Sequence, residues 1–223
     1  MPRLTADQPV IMDVNPDSSI AEAYRTLRTN IEFSSVGKEM RIIMITSASR
    51  GEGKSTTAVN LAISLSQAGK KVLLIDADMR NSSIHRILRV DNKKGLANYL
   101  ALQTELTEII TPTHIPNLSV IPSGTQPPNP AELLTMNQMD LLLAELKKDF
   151  HTIILDTPSA LSVTDAQIIA AKTDGVLLVV EQGFVKREAG KKVKAYLRHV
   201  NARLLGVVFN KINKANLDSY AGR

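Results

Sequence analysis

The 223-residue chain contains no cysteine and no tryptophan, and its aromatic side chains are limited to four tyrosines and four phenylalanines. Without thiols there can be no disulfide, no thiolate metal centre and no cysteine nucleophile, a pattern that fits a reducing compartment. With so few aromatic rings, nucleic-acid binding by base stacking has little to rest on. No apolar run approaches the roughly 20 residues of a membrane span, and the opening stretch MPRLTADQPVIMDVNPDSS is too polar for a signal peptide. The formal net charge of +5 is mild and favours acidic partners or an anionic membrane surface only weakly.

What is present is a strong alternation. Short apolar runs rich in β-branched residues occupy 41–46, 72–75, 118–121, 152–155, 176–180 and 204–209, with helical periodicity near 54–68, 94–110, 131–148, 164–172 and 185–200. Continuously apolar strands are covered on both faces, which predicts a doubly wound, mostly parallel α/β sheet flanked by helices. An earlier helix is expected where Ser19 and Glu22 have capping-box spacing and Ile20, Tyr24, Leu27 and Ile31 recur at helical intervals. Three prolines among residues 1–17 predict an extended arm. Residues 18–211 are expected to form a single domain, and 212–223 a mobile tail.

In such a sheet, ligands bind beyond the carboxyl ends of the strands. The first strand runs into 48-ASRGEGKS-55, which then opens a helix. Backbone amides of a glycine-rich turn at a helix N-terminus surround anionic oxygens. Gly51 and Gly53 permit the necessary dihedral angles, Lys54 can reach the β and γ phosphates, and the Ser55 hydroxyl can bind Mg²⁺. The candidate nucleotide contacts are therefore Ser49, Arg50, Gly51, Glu52, Gly53, Lys54, Ser55 and Thr56. Two further strand ends carry carboxylates, Asp76 and Asp78 in 76-DADMR-80 and Asp156 in 156-DTP-158. Mg²⁺ takes one or two carboxylates together with phosphates and water, and a carboxylate beside a γ-phosphate can orient or deprotonate an attacking hydroxyl.

Taken together, ASRGEGKSTTAVNLA, KKVLLIDADMR, PSGTQPPNPAELL and TIILDTPSALSVTDAQ resemble the bacterial protein-tyrosine kinases of capsule and exopolysaccharide assembly over roughly residues 18–211. The resemblance implies a P-loop NTPase fold and phosphorylation of tyrosine by ATP and Mg²⁺. It assigns catalysis to Lys54, Asp76 and Asp78, with Asp76 activating the tyrosine hydroxyl. It assigns the metal to Ser55, Asp76 and Asp156, and places Arg80 beside the acidic pair with a less defined role. The partitioning ATPases of the same fold read K-G-G-x-G-K, and their extra lysine is replaced here by Ser49. GTPases read guanine through N-K-x-D, whereas 210-NKIN-213 ends in asparagine; this favours ATP and makes Asn210 a candidate adenine contact.

The resemblance also extends to 22-EAYRTLR-28, matching an E-x-x-R-x-x-R motif of ring-like self-assembly, so Glu22, Arg25 and Arg28 are expected at an interface between copies. It further implies protein-tyrosine substrates and a separate membrane-anchored activator whose cytoplasmic segment draws a cytoplasmic kinase to the inner face of the membrane. Tyr220 in the tail is the candidate phosphoacceptor, while Tyr24, Tyr99 and Tyr196 are expected to be packed in helices. Arg187, Lys191, Lys194 and Arg198 recur at i, i+4, i+7 and i+11, opposite an apolar face of Ala189, Val193, Leu197 and Val200. A solvated basic face is the plainer reading of that helix, and an anionic membrane or an acidic activator the sharper one. A nucleotide-gated assembly factor without tyrosine chemistry is the rival function for the chain as a whole.

Overall fold

The computed structural model describes residues 10–34 and 39–212. Two helices come first, α1 (Ile11–Val14) and α2 (Ser19–Ser34), followed by β1 (Ile42–Ser47), α3 (Lys54–Gln67), β2 (Val72–Asp76), α4 (Ile84–Leu88), α5 (Leu96–Leu100) and α6 (Leu106–Ile109). Next come β3 (Thr111–Pro112), β4 (Leu118–Ile121), α7 (Pro130–Thr135), α8 (Asn137–Asp149), β5 (Thr152–Asp156), α9 (Asp165–Ala170), β6 (Gly175–Glu181), α10 (Arg187–His199) and β7 (Leu204–Asn210). The sheet order is β3-β4-β2-β5-β1-β6-β7. Every pairing is parallel except β3 with β4.

Every residue of β1, β2 and β5 is buried, as expected of central strands covered on both sides. Because side chains alternate along a strand, Met44, Leu73, Ile75, Ile153, Leu155 and Leu178 enter a core shared with α5, α8, α9 and α10. Ile43, Ile45, Leu74, Ile154, Leu177 and Val179 enter a second core against α1, α2, α3 and α4. The doubly wound sheet read from the sequence is the observed one.

Four local expectations fail. The arm is not extended over 11–14: α1 lies against α3, with Met12 fully buried and its amide donating to Asn60 Oδ1 at 3.1 Å. The cap of α2 is Ser18, whose hydroxyl accepts the Ala21 amide at 3.1 Å, one residue earlier than expected. Ile20 is 57% exposed, because the buried line runs through Ala21 and Ile31 with Tyr24 and Leu27 alongside. The long helical patterns near 94–110 and 131–148 are each broken, the second at Met136, whose extended backbone separates α7 from α8. The expected tail lies outside the described residues from 213 onward, and with it the candidate acceptor Tyr220.

Candidate nucleotide and acceptor site

β1 ends at Ser47 and α3 begins at Lys54, so the glycine-rich loop fills the gap between a central strand and a helix N-terminus. Gly51 and Gly53 adopt φ of +86° and +91°, the left-handed region that glycine enters without strain. Gly53 caps α3 without any side-chain hydrogen bond, so the first-turn amides of this 14-residue helix are open to an anion.

The loop is held from outside by the ends of the two edge-side strands. The Glu52 side chain is fully buried; one carboxylate oxygen accepts the Ser49 amide and the other accepts the Glu181 amide at 3.2 Å. Burial raises its pKa, and the carboxylate's two backbone donors oppose that rise. Asn210 Nδ2 donates to the Glu52 carbonyl at 2.9 Å. Lys211 Nζ donates to the Gly51 carbonyl at 2.8 Å and pairs with Glu181 at 2.7 Å. A Cβ at Gly53 would come within 2.0 Å of Asn210 Nδ2, so glycine is required there by contact as well as by φ.

Several of the expected nucleotide contacts have partners within the chain. The Glu52 carboxylate and the Ser49 amide are engaged with each other within the loop. The Asn210 side chain braces the loop, where an adenine contact was expected. Arg50 is exposed and donates to Asn81 Oδ1 at 2.6 Å, tying the loop to the turn after β2. The bracing residues Glu181 and Lys211 were missed; the only trace in the sequence was Lys211 within NKIN.

On the other side of Lys54 the carboxylates converge. Lys54 Nζ lies 3.1 Å from Asp78 Oδ2, and both groups are largely buried. Burial pulls the ammonium pKa down, but Asp156, Asp78 and Asp76 more than offset this and leave it raised. Asp76 is fully buried; Oδ2 accepts the amides of Ser83 and Ile84 at 3.0 and 3.1 Å, and Oδ1 accepts the Asp78 amide at 3.2 Å. Burial, then Asp156, push its pKa from 3.8 to about 7 against those donors. Asp78 Oδ1 accepts the Asn81 amide at 3.0 Å, so Asp78 anchors the same turn and faces the lysine at once.

Asp156 is different. Both of its carboxylate oxygens are buried, and among the described residues neither meets a donor at bonding geometry. Burial raises its pKa to about 6, with Lys54 and the Ser55 hydroxyl as the groups that pull it back. Buried polar atoms are almost always satisfied, so two orphaned oxygens beside a serine hydroxyl and a lysine form a donor set that suits a hard cation. Arg80 grips the fully buried Asp165 through Nε and Nη2 at 2.8 and 3.0 Å, joining the turn after β2 to the start of α9. Asp165 was not singled out from the sequence.

The remaining candidates scatter. Arg28 Nη1 donates to the Ser64 carbonyl at 2.7 Å, fastening α2 to α3, so it is engaged within the chain. Arg25 pairs with Glu22 at 2.9 Å and with the Pro16 carbonyl at 2.7 Å, while Glu22 remains exposed. Tyr24 and Tyr99 are packed as expected, but Tyr196 is 42% exposed.

A family model described as an AAA domain matches residues 40–205. The tyrosine-protein kinase YwqD of Bacillus subtilis is 43% identical over 215 residues, which cover 96% of this chain and 91% of that protein. The tyrosine-protein kinase CpsD of Streptococcus agalactiae is 45% identical over 195 residues, covering 87% and 84%. Among solved structures, the kinase domain of the Escherichia coli tyrosine kinase ETK superposes with a TM-score of 0.90 at 34% identity, covering 94% of this chain and 82% of that one.

Proposed function

The chain belongs to the bacterial tyrosine-protein kinases, and from that premise we propose how its residues divide the work. The open first turn of α3, the two left-handed glycines and Lys54 hold the β and γ phosphates of ATP. Ser55 and Asp156 hold Mg²⁺, which when bound neutralises phosphate charge and orients the γ-phosphoryl group. Asp76 and Asp78 flank the lysine on the side where an acceptor hydroxyl arrives. The observation that carries this reading is the convergence of three carboxylates on Lys54, one of them with both oxygens unsatisfied.

The acceptor proton goes to Asp76, whose raised pKa suits it to take a proton near neutrality. The three amides on Asp76 fix its orientation. Asp78 positions Lys54 and passes it to the phosphate when nucleotide enters. Arg80, locked to Asp165, keeps the acidic turn in register with the loop after β5.

Tyrosines on a second copy and on other proteins are the acceptors, with Tyr220 the candidate in this chain. Exposed Ile20, Phe33 and Glu22 on α2 support a homo-oligomeric, ring-like contact around that helix. Recruitment by a membrane-anchored activator, and a role in capsule or exopolysaccharide production, complete the proposal. The absence of a second loop lysine at Ser49 weighs against a partitioning-type assembly factor.

Incubation of the full chain with ATP, Mg²⁺ and the activating segment, followed by phosphotyrosine mapping, tests the reading. Phosphotyrosine that disappears in Lys54→Met supports it. No phosphotyrosine on the chain or any offered protein sinks it.

A further inference from the structure

The net charge of the chain is +5, and one short segment accounts for all of it. From Lys186 to His199, six basic residues (Lys186, Arg187, Lys191, Lys192, Lys194 and Arg198) stand against Glu188 alone, again +5, so the remainder of the chain sums to zero. All six are solvent-exposed. Lys191 pairs with Glu188 at 2.9 Å, and none of the other five meets a carboxylate among the described residues. The helix keeps its place through the opposite face, where Val193 is fully buried and Leu197 nearly so. Its core contacts are therefore satisfied, and the charged face is free to meet something else.

Apolar side chains frame that face. Phe184, two residues before Lys186 in the turn after β6, is 68% exposed. On the edge strand, Val207 and Phe209 are 46% and 51% exposed. They pair in register with Leu178 and Val180, which belong to the core that α10 covers, so they emerge on the same side of the sheet as the helix. Tyr196 adds an exposed ring on α10 itself.

We propose that α10 and the adjoining rim of β7 form a docking surface for a bilayer containing anionic lipid, which the kinase contacts directly and independently of any protein activator. Clusters of four to eight lysines and arginines on an amphipathic helix match the surface potential of anionic leaflets. Aromatic side chains at the margin seat at the headgroup boundary, as they do in interfacial helices. Duplex nucleic acid also attracts a basic helix, but it offers no place for exposed Phe184 and Val207, which favour a lipid boundary. The surface leaves the active centre accessible, since α10 contributes no side chain to the acidic cluster or the phosphate loop.

Co-sedimentation of the full chain with phosphatidylcholine vesicles, with and without phosphatidylglycerol, tests the proposal in the absence of activator. The expected result is pelleting with anionic vesicles only, lost on raising the salt and reduced at least ~10-fold in the triple variant Lys191→Gln, Lys194→Gln, Arg198→Gln. Phe184→Ser should weaken it by a smaller factor at unchanged salt dependence. All variants should keep the parental melting temperature, and Lys54→Met should bind vesicles as the parent does, so failure of the kinase reading leaves this result untouched. Equal pelleting with neutral vesicles, or anionic binding unaffected by the triple variant, would overturn the proposal. So would binding to duplex DNA or oligoglutamate with no binding to anionic vesicles.

Discussion

The two sides of Lys54 differ in how their charges are satisfied. Toward the sheet edge, Glu52, Glu181, Asn210 and Lys211 form a closed set in which each carboxylate and amide has a partner and the product is a fixed loop. Toward the sheet centre, Asp76, Asp78 and Asp156 crowd a single ammonium, and Asp156 has two oxygens without donors. The first side is complete without a ligand. The second side is electrostatically unfinished, and a buried carboxylate in that condition weakens the fold unless a cation or proton compensates it. The lesson is that the loop is built to stay and the carboxylates are built to bind.

The largest expected effect on activity comes from breaking the junction of the two sides. Lys54→Met removes the cation that faces all three carboxylates among the described residues, and phosphoryl transfer should fall by more than ~10²-fold in a phosphotyrosine assay. Asp156→Asn should cause a comparable loss of Mg²⁺-dependent activity. It should also raise the melting temperature of the ligand-free protein by a few degrees, because it deletes a buried charge whose oxygens lack hydrogen-bond donors among the described residues. Asp76→Asn sharpens the contrast, since an amide nitrogen cannot accept the backbone donors that Asp76 now satisfies. That variant should be less stable than the parent by about 1–3 kcal/mol in denaturant titration.

On the completed side, Glu52→Gln sets a side-chain N–H against an amide donor. We expect about 1–3 kcal/mol of destabilisation and weaker nucleotide binding, measured by thermal melting and ATP titration. The acidity of the other side gives a pH signature. Asp76 and Asp156 have folded pKa values of about 7 and about 6, above the ordinary 3.8. The folded state therefore binds protons more tightly than the unfolded one, and these groups make stability fall as pH rises from about 4 to about 7. Saturating Mg²⁺ and nucleotide should flatten that slope in melting experiments. The smallest effect is expected on α2, where Glu22→Ala breaks an exposed pair and should cost less than ~0.5 kcal/mol in the monomer. A shift in oligomer size with unchanged melting temperature would mark that residue as an interface group.

Much of this was legible in the sequence for physical reasons. The central strands show as unbroken apolar runs because both their faces are covered, and the motifs directly after those runs mark the binding edge. Lys54, Asp78, Asp76 and Asp156 do converge as their positions after β1, β2 and β5 implied. What stayed hidden depends on contacts distant in sequence. Glu181 and Lys211 reach the loop only because β6 and β7 end beside it, a spacing of 129 residues for the Glu52–Glu181 contact. Asp165 and Arg80 are 85 residues apart. Arg28 was marked as an interface residue by the resemblance alone, and its position in the sequence does not reveal the Ser64 carbonyl that receives it. Asn210 was picked out by a motif, yet the structure gives it to the loop, because the glycine at 53 leaves the space its amide occupies.

The central claim is that the carboxylate cluster directs the γ-phosphate of ATP to a tyrosine and not to water. Following label from γ-labelled ATP with the full chain, Mg²⁺ and activating segment measures that division directly. Label should appear on tyrosine in a manner that depends on Lys54 and Asp76, with free phosphate the minor product. Label appearing only as free phosphate, with none on any tyrosine, would contradict it.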